Sequence, residues 1–308
     1  MNRTFYAGIV FFLLSYFQLF LPERLVTGAT LVVFWFLFMF GIVLIGDGIT
    51  QKICRKSLLR EISKSKKSAV RFFLLSIVGG IILEGIAQWL GKLLVYPYFN
   101  VYTYFFAFVL GFSLNWLMIA ESYLVIKVTF DYWRRGRKII SNYYWFEPLL
   151  YKLLGVVGGV IVPVFAFLML RDYTSYGGYI FNVSNFISYK TSFLYIVMMF
   201  LGTWFVFEYV EYLGKKTSLL KSIFHHYFTP LASILTASFV LAIIMETGNI
   251  SHGFWVYTNN WPLGNIKVLD LPVMLFLMWP LHYVVFLSFF RAFAEKEFDE
   301  IWKGDLIK

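Results

Sequence analysis

Two glutamates lie deep inside apolar segments of this sequence, and their chemistry needs an explanation first. Glu84 stands in the segment from Phe72 to Leu90, and Glu246 stands in the segment from Leu231 to Ile250. A carboxylate in hydrocarbon is costly, so it persists only where it is protonated, paired or facing a wet cavity. We favour a functional site. The alternative is that each acid is protonated and bonds a neighbouring helix, with no further role.

Polar and aromatic residues follow Glu246 closely in the stretch that ends at Gly264. This stretch contains the aromatic residues Trp255, Tyr257 and Trp261. Beside them it contains the polar residues Asn249, His252, Asn259 and Asn260. In the last apolar segment, Trp279 and His282 are three residues apart and share one helix face. Aromatic residues also collect at membrane interfaces, which is the simpler interpretation. In combination with Glu246, the set predicts the wall of a pocket.

The chemistry that these residues favour is acid catalysis on an apolar substrate. Glu246 is predicted to keep its proton, because burial disfavours the charged form, and to donate it to a substrate double bond. Asn249 and His252 would orient the acid or a water molecule, and Glu84 would be a degenerate or second copy of the acid. Aromatic faces stabilise developing positive charge. The predicted substrate-binding residues are Trp255, Tyr257, Trp261, Trp279, His282 and Trp116.

Other polar residues are weaker candidates. Glu208 and Glu211 fall within about two turns of the inner end of their segment, where they can snorkel towards water or pair with Lys215. Glu121 is similar, because it lies near Lys127. The sequence contains no metal-ligand spacing, nucleophile elbow, glycine-rich phosphate loop or paired CxxC. We therefore predict neither a metal nor a cofactor.

The composition identifies the elements that must position these residues. Of the residues, 60% are hydrophobic and 14% are charged, against about a quarter charged in typical soluble proteins. A water-soluble fold is excluded, and an all-α polytopic membrane protein is predicted. Eight windows are long enough to cross a bilayer. They are Phe5 to Leu21, Leu25 to Ile45, Phe72 to Leu90, Tyr102 to Ile126, Leu150 to Leu170, Ser192 to Tyr212, Leu231 to Ile250 and Pro272 to Phe293.

The basic residues predict the orientation of these spans. An eight-span topology collects 22 of the 27 Lys and Arg residues on one side of the membrane, and basic residues are retained on the cytoplasmic side. Both termini are therefore expected to be cytoplasmic in a multi-pass protein of the cell membrane. Topology then explains the net charge of +10 without a nucleic-acid partner. Membrane lipids are the expected partners, and a specific role for the Lys52 to Arg71 cluster with anionic lipids is an alternative.

The two halves of the chain, residues 1–130 and 131–308, have a similar layout of four spans each. A shift of 162 residues aligns Glu84 with Glu246 and Gly91 with Gly253. The same shift brings Tyr96 to Tyr257 and Trp116 to Trp279 within one position. An even number of spans per half predicts two parallel repeats, related by an axis along the membrane normal. Coincidence is the alternative, since Trp and Tyr are common in this sequence.

One order of residues resembles a known family. An intramembrane acid is followed by the sequence Phe254 to Tyr257, by a short loop with Gly264, and by Leu271-Pro272 at the start of a span. This order resembles the lycopene-cyclase-domain proteins and the related carotenoid hydratases, small polytopic proteins of carotenoid biosynthesis. That family has acids directly after the proline, where this chain has Val273 and Met274. The resemblance implies a lipid-modifying function on a carotenoid-like substrate.

Three functions are open from the sequence. The first is a membrane enzyme that protonates a double bond of an isoprenoid or another long apolar lipid. The second is a transporter or channel in which Glu84 and Glu246 line a pathway between the repeats. The third is an accessory protein without chemistry, in which both acids have only a role in folding.

Overall fold

The computed structural model describes residues 3–55, 57–133, 143–175, 191–216, 218–249, 253–258, 261–263, 266–268 and 271–293. Eight helices in this part of the chain are long and apolar enough to cross a bilayer. The chain is therefore an all-α polytopic membrane protein, and the prediction of eight spans is confirmed. The structure contains no membrane, so the cytoplasmic location of the termini stays a prediction.

Ten α-helices and four short strands are found in the described residues. The helices are α1 (Arg3–Ser15), α2 (Gly28–Cys54), α3 (Leu58–Ser63), α4 (Lys66–Glu84), α5 (Val101–Trp133), α6 (Glu147–Ser175), α7 (Phe193–Leu213), α8 (Leu219–Phe224), α9 (Thr229–Asn249) and α10 (Leu275–Phe293). The strands are β1 (Leu94–Val95), β2 (Val256–Tyr257), β3 (Lys267–Val268) and β4 (Leu271–Pro272). All of the helices except the short helices α3 and α8 belong to the eight spans. The first span continues beyond α1 as a 3₁₀ segment, Tyr16–Phe20, and the third continues beyond α4 as a π-helical turn, Gly85–Leu90.

The bundle has two chemically different ends. At the basic end, α2 and α5 run past the predicted limits of their spans to Cys54 and Trp133. Charged residues of both helices are buried there, with Asp47 at 2% and Lys127 at 0% exposure, although Lys52 is exposed. The helices continue because neighbouring protein segments, rather than lipid, surround these side chains. At the opposite end, which we call the loop end, the strands form two antiparallel pairs, β1 with β2 and β3 with β4.

Equivalent elements of the two halves make equivalent contacts. α1 packs on α2 as α6 packs on α7, and α4 packs on α5 as α9 packs on α10. Across the halves, α4 contacts α10 as α9 contacts α5. β1 and β2 lie 162 residues apart and pair with each other, Leu94 opposite Tyr257 and Val95 opposite Val256. Antiparallel pairing of equivalent strands is what a two-fold axis along the bundle produces, as two parallel repeats predict.

Glycines allow the outer helix of each half to approach its neighbour closely. A Cβ atom on Gly8 would lie 2.9 Å from the carbonyl oxygen of Gly41, and one on Gly158 would lie 2.6 Å from that of Gly202. Gly41 and Gly202 are 161 residues apart, so both halves use the same kind of contact. Small residues at such positions let helix backbones meet where lipid supplies no hydrophobic driving force.

Buried acids anchor the short helices at the basic end. The amide of Leu59 in α3 donates to Glu121 at 3.1 Å, and the amide of Leu220 in α8 donates to Glu208 at 3.4 Å. Leu59 and Leu220 are again 161 residues apart. The first amides of a helix have no partner within the helix and favour negative charge. The acids supply that partner in a place where water does not.

The expectation that these acids snorkel to water is wrong. Glu121, Glu208 and Glu211 are each 0% exposed. Glu211 accepts a hydrogen bond from Arg291 Nε at 2.9 Å instead of pairing with Lys215. Position along the span suggested access to water, but α3, α8 and the end of α10 cover this region with protein.

We expect Gly158→Ala to lower the free energy of unfolding by about 1–3 kcal/mol, because its new Cβ meets the Gly202 carbonyl. Gly159→Ala is the matched control, because no described atom lies within 4 Å of its new Cβ and alanine is the better helix former. Unfolding of both variants in mild detergent would measure the difference. Equal losses for the two variants would contradict the packing explanation.

Candidate functional site

A cavity lies in the half of the bundle nearer the loop end. Its empty space, including its open mouth, is about 1270 Å³. Both halves of the chain contribute to its wall. The residues with polar groups that line it are Glu84, Gln88, Tyr96, Asn115, Trp35, Trp255, Tyr257, Trp261, Trp279, His282 and Tyr283. The rest of the wall is mostly aliphatic or phenylalanine side chains, so the cavity suits a largely apolar ligand.

Glu84 lines this cavity directly from the last turn of α4. Its Oε2 atom is buried and has no hydrogen-bond partner among the described residues. The π-helical turn that follows brings Ala87 and Gln88 to the same wall, and such turns are frequent at functional sites. A buried carboxyl oxygen without a partner needs an explanation, and a ligand in the cavity is one.

Glu246 occupies the equivalent position on α9 but has protein partners. It is 6% exposed and accepts hydrogen bonds from Trp255 Nε1, at 3.2 Å, and from the Tyr257 hydroxyl. Burial, and next the neighbouring Glu246, raise the pKa of Tyr257 well above its usual value. Tyr257 therefore keeps its proton and lines the cavity between Glu246 and the empty space.

The loop after Glu246 is fixed by hydrogen bonds to its own half and to the other half. The Asn249 side chain donates to the Trp255 carbonyl at 3.0 Å and accepts from the Trp255 amide at 3.0 Å. The indole of Trp261 donates to the Leu93 carbonyl at 2.8 Å, and the Thr258 hydroxyl donates to the Lys92 carbonyl at 2.6 Å. These bonds and the β1–β2 pair hold Trp255, Tyr257 and Trp261 against the cavity.

Aromatic rings from the first half complete the wall at the loop end. Trp35 stacks on Phe254, with ring centroids 5.5 Å apart, and meets Trp255 edge-on at 5.0 Å. Tyr96 and Phe99 stack with centroids 4.9 Å apart. Sequence reasoning did not assign these first-half rings to the site. The available signal for Tyr96 and Phe99 was their place in the short loop between the third and fourth predicted spans, whereas Trp35 lies at the middle of its predicted span.

The predicted binding residues of the fourth and last spans separate into two groups. Trp279 and His282 line the cavity, as predicted for a pocket wall, and so does Tyr283, which sequence reasoning missed. Trp116 is instead packed between helices. Its ring lies 4.1 Å from that of Phe286, and a Cβ on Gly79 would come within 2.5 Å of it. We therefore place Trp116 beside the cavity, not on its wall.

Two further predictions concern His252 and metal binding. His252 lies outside the described residues. Among the described residues, no group of three or more His, Cys, Asp or Glu side chains is arranged to hold a metal ion. The polar side-chain groups that the described cavity wall can offer a ligand are the carboxyl, hydroxyl, amide, imidazole and indole groups named above.

Comparison of the chain with protein-family models, with curated proteins and with solved structures found no match.

The turn over the cavity makes stability depend on pH. Lys92 is 7% exposed, and burial lowers its pKa to about 8, whereas an unfolded lysine titrates near about 10.4. Between these values the unfolded chain binds more protons, so the free energy of unfolding should rise with pH across this window. Below about pH 8 the full cost of the buried charge is present.

We therefore expect Lys92→Met to unfold at higher denaturant concentration than the parent at pH 7, with a smaller gain between pH 8 and about 10.4. Lys267→Met is the control, because Lys267 is exposed. Denaturant unfolding in mild detergent at several pH values would measure both. A Lys92→Met profile parallel to that of the parent would rule out this origin of the pH dependence.

Proposed function

We propose that this chain is a membrane enzyme that protonates a double bond of an isoprenoid-like lipid, with Glu84 as the proton donor. The observation that carries the proposal is the buried Oε2 atom of Glu84, which has no partner among the described residues and belongs to a side chain that lines the cavity. A transporter or an accessory protein is the competing function, and the experiment below separates them.

The cavity wall suits a cationic intermediate on a hydrocarbon chain. Trp35, Tyr96, Trp255 and Trp279 line it, and the faces of such rings attract positive charge. The surrounding aliphatic residues exclude water, which would otherwise capture a carbocation. An acid in this environment keeps its proton because the charged form is poorly solvated.

The proposed reaction needs no reagent other than the substrate. The Glu84 O–H bond breaks and its proton joins one alkene carbon, whose new C–H bond uses the π electron pair. The adjacent carbon becomes cationic. Loss of a proton from a neighbouring carbon to the Glu84 carboxylate forms a new double bond, either directly or after ring closure, and restores the acid. The net result is isomerisation or cyclisation.

Glu246 has a positioning role in this proposal. It binds the indole N–H of Trp255 and the hydroxyl of Tyr257, and both of these side chains line the cavity. Glu246 on α9 thus orients the aromatic wall, while the equivalent acid on α4, Glu84, faces the substrate. Asn249 supports the same wall by holding the backbone of Trp255.

The test is deuterium incorporation into isoprenoid substrates, with membranes that contain the protein in D₂O and product analysis by mass spectrometry. Protonation from Glu84 places solvent deuterium on carbon, because the carboxyl proton exchanges with solvent between turnovers. We expect Glu84→Gln to lower the rate of incorporation by about 10²-fold or more, the usual scale of general acid catalysis. Glu61→Gln, which changes an acid in α3 at the basic end, is the control and should retain the parent rate.

Two results would overturn the proposal. One is an unchanged rate of incorporation in Glu84→Gln compared with Glu61→Gln. The other is uptake of protons or cations into sealed proteoliposomes that depends on Glu84 and Glu246 and occurs without any lipid product, which would indicate a transporter. If Glu84→Gln changes only thermal stability, the acid has a structural role.

A further inference from the structure

Tyr283 is a second polar group of the cavity that the proposed reaction does not use. It lines the cavity from α10 and is 3% exposed, so bulk solvent does not reach it. Its hydroxyl has no hydrogen-bond partner among the described residues. An unpaired buried hydroxyl costs about 1–3 kcal/mol, and a phenylalanine at this position would avoid that cost.

Other tyrosines of the cavity region have found partners within the protein. The hydroxyl of Tyr257 donates to Glu246, and the hydroxyl of Tyr104 accepts from the indole of Trp89 at 2.8 Å. The hydroxyl of Tyr283 differs from these two, because it has no partner in the described part of the chain. Since Tyr283 lines the cavity, its partner is expected on the ligand.

His282 adds an imidazole beside this hydroxyl. It lines the same cavity, and its ring centroid lies 6.5 Å from that of Tyr283. Phe286 and Phe200 meet the imidazole edge-on, with centroids at 4.5 Å and 5.7 Å. These contacts fix the ring by packing and leave hydrogen bonding to the ligand.

We propose that the ligand carries a hydroxyl group that binds Tyr283 and His282, so that the substrate is an isoprenoid alcohol and not a pure hydrocarbon. A hydroxyl both donates and accepts, so it can satisfy a phenol and a neutral imidazole at once. A hydrocarbon satisfies neither. The inference rests on the proposed function for the identity of the hydrocarbon part, since Glu84 and the aromatic wall act on that part.

The experiment compares two probes that differ by one oxygen atom. One is geranylgeraniol, and the other is the same hydrocarbon chain with hydrogen in place of the hydroxyl. Binding to the full-length protein in mild detergent is followed by tryptophan fluorescence, because Trp35, Trp255, Trp261 and Trp279 line the cavity. The parent should bind the alcohol more tightly than the hydrocarbon.

The decisive comparison uses Tyr283→Phe, which removes only the hydroxyl. We expect this variant to bind the alcohol about tenfold more weakly than the parent, as the loss of one hydrogen bond predicts, and to bind the hydrocarbon with unchanged affinity. Unchanged hydrocarbon binding also shows that the variant retains its fold. Tyr102→Phe is the control, because Tyr102 is 78% exposed, and it should bind both probes as the parent does.

The inference is overturned if Tyr283→Phe weakens both probes equally, if it weakens neither, or if the parent shows no preference for the alcohol. These outcomes are independent of the deuterium experiment on Glu84. If Glu84→Gln loses incorporation and the parent shows no preference for the alcohol, the proposed acid catalysis by Glu84 stands and only the proposed hydroxyl of the substrate is contradicted. If alcohol binding depends on Tyr283 and incorporation is unchanged in Glu84→Gln, the proposed binding site stands and the catalytic role of Glu84 is contradicted.

Discussion

The fold depends on one constraint: lipid offers no hydrogen bonds, so each polar group in the bundle must find a partner in the protein. The acids at the basic end satisfy this constraint by accepting hydrogen bonds from the first amides of α3 and α8 and from Arg291. Glu246 meets it with Trp255 and Tyr257. The Oε2 atoms of Glu147, Glu208 and Glu211 are also buried without a partner among the described residues, but of these four acids Glu84 is the one that lines the cavity.

The two halves place a paired and an unpaired acid at positions 162 residues apart. The tyrosine that follows each acid in its half, Tyr96 or Tyr257, comes at nearly the same spacing. Tyr257 bonds Glu246, whereas Tyr96 lines the cavity together with Gln88 of the π-helical turn. That turn has no counterpart after α9 in the described residues. The two halves therefore have a similar layout but different surroundings for their acids. Glu246 is paired with Tyr257, and Glu84 lines the cavity.

Much of this arrangement could be predicted from sequence, and the rest could not for physical reasons. The spans follow from hydropathy, because lipid imposes a minimum length. Trp255 and Tyr257 were identified because they are close to Glu246 along the chain. Trp35 and Tyr283 come from other helices, and only packing brings them to the cavity. The burial of Glu208 was also missed, because distance from the end of a span measures depth in lipid and ignores the protein that covers the side chain.

The unpaired groups also couple the cavity to the stability of the bundle. Glu84 Oε2 and the Tyr283 hydroxyl are buried without partners in the described chain, at a cost of about 1–3 kcal/mol each. Packing alone would replace them with apolar side chains of similar size, as it does elsewhere on the same wall. A ligand that pairs with them recovers this free energy and binds only the folded chain, so it stabilises the fold by mass action. The same polar groups that weaken the empty protein therefore favour a ligand with complementary polar atoms over the hydrocarbon tails of the surrounding bilayer.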